Sequence, residues 1–321
     1  MFTSPPARIL PRRPPTSRQT LSATCVALSG SVDAARLAAG CVGLGALGIA
    51  LETPPAATAQ WRYFAGTDAE RLAALDAALA SNAELVLFGR GGYGLSRLLH
   101  RIDWRRVAAS RKVFCGYSDV TAFSLAALAT SGLITLAGPV AAGEFAQTDD
   151  RAARTFCETH FLGLLAGDTY HYPPCENDTP LGAETVEGTL WGTNLAMVTH
   201  LIGTPFLPHF DDGILLLEDI GESPYRVERM FWQLKHAGVL DHQRAIVLGA
   251  FTDCTPAQGM RYPYSMAEAI ETLREIAPCP VLTGFPFGHI PGKVTLPIGA
   301  RATLRISGAN YSLSVSDYLT D

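Results

Sequence analysis

Short apolar runs alternate with segments of helical spacing through the first half of the chain. Thr24-Cys25-Val26-Ala27-Leu28 reads as a buried strand closed by Ser29-Gly30-Ser31, and 32–40 as a short helix with Asp33 in its first turn. Thr67-Asp68-Ala69-Glu70 has the spacing of a capping box, and Leu72, Leu75 and Leu79 mark one face of the helix it opens. A second buried strand over 84–88 runs into Gly89-Arg90-Gly91-Gly92-Tyr93-Gly94, followed by helical spacing over 95–99. Val113-Phe114-Cys115 is a third strand, after which Ala122, Leu125, Ala126, Leu128 and Ala129 keep helical spacing until Gly132. Strands alternating with helices predict a doubly wound, parallel sheet.

From 165 to 188 the pattern lapses into turn residues, which predicts an interdomain linker. It divides the chain into an extension over 1–23, an N-terminal α/β domain over 24–164 and a C-terminal domain over 189–321. In the last of these the spacing predicts a helix over 192–201, a strand over 213–217 ending at Glu218-Asp219, a helix over 224–237 and a strand over 245–251. Ser265-Met266-Ala267-Glu268 opens a further capped helix, 280–283 is a short strand, and 302–306 with 311–315 predict a hairpin around Ser307-Gly308-Ala309-Asn310.

With 321 residues, 48% hydrophobic and 17% charged, the chain can bury two cores. A net charge of -5 and a pI near 5.9 give no electrostatic footprint for nucleic acid or an anionic membrane, so a small ligand is expected. No apolar run reaches the roughly 18 residues of a membrane helix. The first twenty residues hold Arg8, Arg12, Arg13 and Arg18 among prolines, without the unbroken apolar stretch of a signal sequence; a disordered extension is expected. Seven scattered cysteines without a C-x-x-C pair point to a reducing compartment and away from a zinc site, and neither metal nor cofactor is expected.

The candidate chemistry centres on Ser118, at the turn between the third strand and its helix. Strand ends are where open α/β sheets bind ligands, and the following helix offers unpaired N–H groups to a developing anion. The plainer alternative is a helix N-cap, and the G-x-S-x-G elbow is incomplete because Val120 stands where its second glycine would be. The 89–94 loop lacks both a full G-x-G-x-x-G and a P-loop lysine, so its glycines argue for close backbone approach more than for nucleotide phosphates.

Five stretches together resemble the LD-carboxypeptidases, the muramoyl-tetrapeptide carboxypeptidase family of serine peptidases. They are Ala65-Gly66-Thr67-Asp68 with Glu70-Arg71, Gly89 to Gly94, Gly116-Tyr117-Ser118-Asp119-Val120-Thr121, Leu217-Glu218-Asp219-Ile220-Gly221-Glu222 and Phe285-Pro286-Phe287-Gly288-His289. The resemblance implies a flavodoxin-like or class I amidotransferase-like parallel-sheet domain, plus a smaller β-rich α/β C-terminal domain, with the site in the cleft between them. It also implies a triad of Ser118, His289 and Glu218, with the backbone N–H groups of Asp119 and Gly92 as oxyanion hole. Arg90, Gly91, Trp191 and Arg226 are candidates for substrate binding; Arg90 could equally pair with a surface acid. Without the resemblance, Glu218 reads as a turn carboxylate and His289 as a structural histidine. The implied reaction releases terminal D-alanine from murein tetrapeptides in the cytoplasm, by a homodimer acting on peptides. A microcin C immunity-type peptidase acting on peptidyl nucleotides, a catalytically silent muropeptide-binding protein and a nucleotide-binding enzyme are the rivals. The chain departs from the family's first-strand motif at Leu28, where a proline would stand.

Overall fold

The structure, a computed structural model, describes residues 10–11, 20–146, 149–167, 169–256, 258–259, 261 and 263–320. Residues 1–9 and 12–19 of the expected extension therefore lie outside the described residues. A two-residue strand β1 (Leu10–Pro11) pairs in parallel with β14 (Leu319–Thr320). The first full strand, β2 (Leu21–Val26), starts three residues earlier than its apolar run suggested, because Leu21 to Ala23 pair with Ile49 to Leu51.

α1 (Ala34–Ala46) is capped by the Asp33 side chain and leads to β3 (Ile49–Glu52). α2 (Asp68–Ala80) opens on the expected capping box, Thr67 Oγ1 accepting from Glu70 N–H while Glu70 accepts from Thr67 N–H. β4 (Leu85–Phe88), α3 (Trp104–Ala109), β5 (Val113–Gly116), α4 (Val120–Ser131), β6 (Thr135–Ala137) and α5 (Arg151–Ala166) follow. β4 and β5 are wholly buried, as strands covered on both faces should be. α4 is apolar all round and buried from Val120 to Leu128, since it packs against elements of both halves of the chain, including the later segments Cys175–Asn194 and Leu195–His200.

The stretch expected as a linker is mostly strand: β7 (Thr169–His171) and the twenty-residue β8 (Cys175–Asn194). The turn residues mislead because 178–185 belong to a two-stranded ribbon exposed along most of that length. α6 (Leu195–His200) begins later than the expected 192–201, because Gly192 to Asn194 pair with the central strand β9 (Gly213–Ile220) and extend β8. α7 (Pro224–His236), β10 (Gln243–Thr252), α8 (Met266–Ile276) and β11 (Val281–Leu282) match their periodicity. After β12 (Leu296–Ile298), the expected hairpin is a single strand β13 (Arg301–Ser316). Its Gly308 carries φ +64° at a bulge, and the strand keeps pairing with β8 and then with β7 in place of turning back.

Two six-stranded sheets result, ordered β12-β6-β5-β4-β2-β3 and β11-β10-β9-β8-β13-β7. The first is parallel except at β12; the second joins a parallel half to an antiparallel half. β12, which follows His289, supplies the edge of the first sheet, so the late part of the chain completes the early sheet.

Candidate active site

Two residues beyond β5, Ser118 takes φ +66°, a left-handed backbone that costs a serine about 1–3 kcal/mol. The kink removes Ser118 from the helix-cap role; Asp119 holds that position, and its side chain makes no cap bond either. The Asp119 carboxylate turns inward, where Oδ2 accepts from Ser29 Oγ at 2.5 Å and from Leu95 N–H at 2.9 Å. Burial pushes its pKa upward, and these hydrogen bonds oppose the shift. One carboxylate thus fastens the end of the glycine loop and the turn after β2 to the start of α4.

Glu218 reaches the same place from β9 with no exposure to solvent. His289 comes from the segment after β11, which is latched to β10: Phe287 O accepts from Ala250 N–H at 2.8 Å, and Thr252 Oγ1 donates to His289 O at 3.0 Å. His289 Nδ1 lies 2.8 Å from Glu218 Oε2, and its Nε2 lies 3.0 Å from Ser118 Oγ. A carboxylate on Nδ1 favours the tautomer that leaves Nε2 free to accept the serine proton. Hydroxyl, imidazole and carboxylate in one hydrogen-bonded line are what base activation of a serine requires.

The glycine loop passes so close that a Cβ on Gly91 would stand 2.8 Å from Ser118 Cβ. Among the described residues, the N–H groups of Gly91, Gly92 and Asp119 have no protein acceptor. A cavity of about 490 Å³ opens over Ser118 and His289, lined also by Arg36, Arg90, Gly92 and Ile220. Trp191 is not part of it. Its position on β8 turns it into the core, where Nε1 donates to Gln243 Oε1 at 2.9 Å. Arg226 is also outside: it sits exposed on the first turn of α7, 3.8 Å from Glu222.

Several supporting groups carry no obvious signal in the sequence. Asn194 Nδ2 donates to Glu218 Oε1 at 3.3 Å and to Asp219 Oδ1 at 3.0 Å; the expected helix over 192–201 placed it within the helical run, whereas it is the N-cap of α6. Asp219 is pushed up to about 6 by burial, with the neighbouring Glu218 charge adding to the shift. The Tyr117 ring packs at a tilt against His289, centroids 5.1 Å apart, and its hydroxyl donates to the buried Glu144 at 3.1 Å. Lys293 pairs with Glu144 and lies 3.7 Å from the centre of the Tyr117 ring. Burial, with Glu144 beside it, holds the Tyr117 hydroxyl well above its ordinary pKa. Among the described residues, the one group of three that could ligate a metal is His209, Asp211 and His242; it is exposed and lies outside this cavity.

Residues 24–138 match the LD-carboxypeptidase N-terminal domain and residues 187–304 the LD-carboxypeptidase C-terminal domain. The chain belongs to the LD-carboxypeptidase family. It is a serine-type carboxypeptidase. The murein tetrapeptide carboxypeptidase of Pseudomonas aeruginosa is 34% identical over 255 residues, 77% of this chain and 80% of that protein. The crystal structure of muramoyltetrapeptide carboxypeptidase from Oxalobacter formigenes, 35% identical, superposes with a TM-score of 0.84 over 93% of this chain and 100% of the other. The microcin C7 self-immunity protein of Escherichia coli is 29% identical over 251 residues, 70% of this chain and 72% of that protein. Both family domains contribute to the hydrogen-bonded line, Ser118 from the first and Glu218 and His289 from the second.

Proposed function

We propose that this LD-carboxypeptidase hydrolyses the amide between an L-configured centre and the terminal D-alanine of murein tetrapeptides, in the cytoplasm, with Ser118 as nucleophile. The observation that carries the mechanism is the contact of His289 with both Ser118 and Glu218, at 3.0 and 2.8 Å. His289 Nε2 takes the Ser118 proton as Oγ attacks the scissile carbonyl, and the oxyanion meets the free N–H groups of Asp119 and Gly92. The same proton passes to the departing amine of D-alanine, and water then hydrolyses the acyl-serine with His289 again as base. Glu218, held by Asn194, fixes the imidazole and stabilises its charged form. The tetrapeptide substrate rests on the likeness to the Pseudomonas and Oxalobacter proteins, and the cytoplasmic setting on seven free cysteines.

The test is D-alanine release from L-Ala-γ-D-Glu-diaminopimelyl-D-Ala, with chelator present, comparing wild type with Ser118→Ala. Release is expected to survive chelation and to fall at least about 10³-fold in the variant. Unchanged release by Ser118→Ala would sink the mechanism. A second reading, cleavage of a peptidyl nucleotide, follows from the likeness to the self-immunity protein; turnover of an aminoacyl-adenylate analogue without turnover of tetrapeptide would select it.

A further inference from the structure

Arg36 carries the observations furthest. It stands in the first turn of α1, the helix that follows β2, and it lines the cavity over Ser118. Its Nε donates to Ala142 O at 3.1 Å, and among the described residues the two terminal nitrogens of its guanidinium have no partner. A guanidinium held through Nε still presents its end-on pair of N–H groups, the geometry that takes a carboxylate with two parallel hydrogen bonds. Its mount is rigid. A Cβ on Gly40 of α1 would stand 1.9 Å from Ala141 O, so helix and loop press together with no room for a side chain between them. The cap bond that Arg36 N–H donates to Asp33 Oδ1 at 2.8 Å fixes the backbone at the same turn.

Arg90 lines the same cavity but is differently committed. Its Nη1 donates to Ser31 O at 3.4 Å, and its Nη2 lies over Gly92. Asp33 also lines the cavity, with one carboxylate oxygen spent on its cap bond. Arg36 is therefore the cation whose fork is most free.

A carboxypeptidase must distinguish the end of a chain from its middle, and the chemical mark of that end is a free α-carboxylate. We propose that Arg36 is the residue that binds this carboxylate, so that it sets the exopeptidase specificity of the Ser118 site. The proposal rests on the peptidase reading above and adds the group that selects the terminal residue. Carboxylate–guanidinium pairs of this kind are worth roughly 10- to 100-fold in recognition, and a site built for one rejects the neutral analogue.

The test compares the tetrapeptide with its C-terminal amide, on wild type, Arg36→Met, Arg36→Lys and Arg90→Met, each checked for an unchanged melting temperature. Wild type is expected to prefer the free acid at least about 10-fold in kcat/KM. Arg36→Met is expected to lose roughly 10- to 100-fold on the acid and less than about threefold on the amide, which erases the preference; Arg36→Lys should restore part of it. A preference that survives in Arg36→Met, an equal loss on both substrates, or erasure by Arg90→Met alone overturns the proposal. So does a wild type that cleaves acid and amide alike, although it leaves the peptidase reading intact. Cleavage of neither substrate by the folded wild type would instead overturn the peptidase reading itself.

Discussion

Ser118 and Gly91 are paired by shape before they are paired by chemistry. The left-handed turn brings the serine Cβ toward the loop, and the loop comes within the distance at which only a hydrogen fits. Gly91→Ala is therefore expected to cut kcat by at least about 10²-fold, with a loss of stability of only about 1–3 kcal/mol, because either Ser118 or the amides beside it must move. Near-wild-type kcat in a folded Gly91→Ala protein would mean the approach has no role in the reaction. At this scale the sequence was informative where a residue's neighbours in the chain define its role. Ser118, Gly91 and the capping pair Thr67 and Glu70 lie in such places. Trp191 and Asn194 do not, since strand pairing across the second sheet decides that one is core and the other holds Glu218.

The end of β9 shows what an element can do that a motif cannot. Successive strand residues face opposite ways, so the adjacent carboxylates, which share Asn194, otherwise serve different partners: Glu218 faces His289, and Asp219 accepts from Ala196 N–H at the start of α6 at 2.9 Å. As β9 lies between β8 and β10, both carboxylates are buried. Raising Asp219 from the ordinary carboxylate range to about 6 means the native state binds more protons than the unfolded chain between about pH 4 and 6. The stability contributed by its protonated form is present below about pH 4 and lost as pH rises through about 6, a cost of up to about 3 kcal/mol. The melting temperature of Asp219→Asn, relative to wild type, should accordingly rise between pH 4 and pH 6.5. A difference that stays flat with pH would show that Asp219 ionises freely in the fold. Elements themselves were legible where one face is apolar, as in α2, α7 and α8. They were not legible in the outer part of β8, where both faces meet solvent and the ribbon is held by its ladder to β13.

Across the whole molecule, the boundary between the halves is crossed more than once. β12 pairs antiparallel with β6, burying Leu296 and Ile298 completely, while α4 packs against α6 and β8. A fragment ending at residue 167 would leave the β6 edge unpaired and the far side of α4 bare. It is expected to aggregate or to elute as a soluble oligomer in gel filtration, and adding residues 169–321 in trans should at best partly rescue it. A monomeric fragment with a cooperative melt would show that the first sheet closes without β12. The parallel sheet itself was readable from the alternation of strand and helix. The return of the chain from His289 to the first sheet was not, because Leu296, Pro297 and Ile298 are three residues whose apolar character says nothing about which sheet they join.

That return has a consequence for the order of synthesis. Ser118 leaves the ribosome long before His289, and β12 leaves later still. A nascent chain can build the glycine loop and the serine turn, yet under the proposed mechanism its hydroxyl lacks a base until His289 emerges. Under that mechanism, competence to cut peptides is expected to arrive close to closure of the first sheet, and a chain that stops short of His289 is expected to be no peptidase.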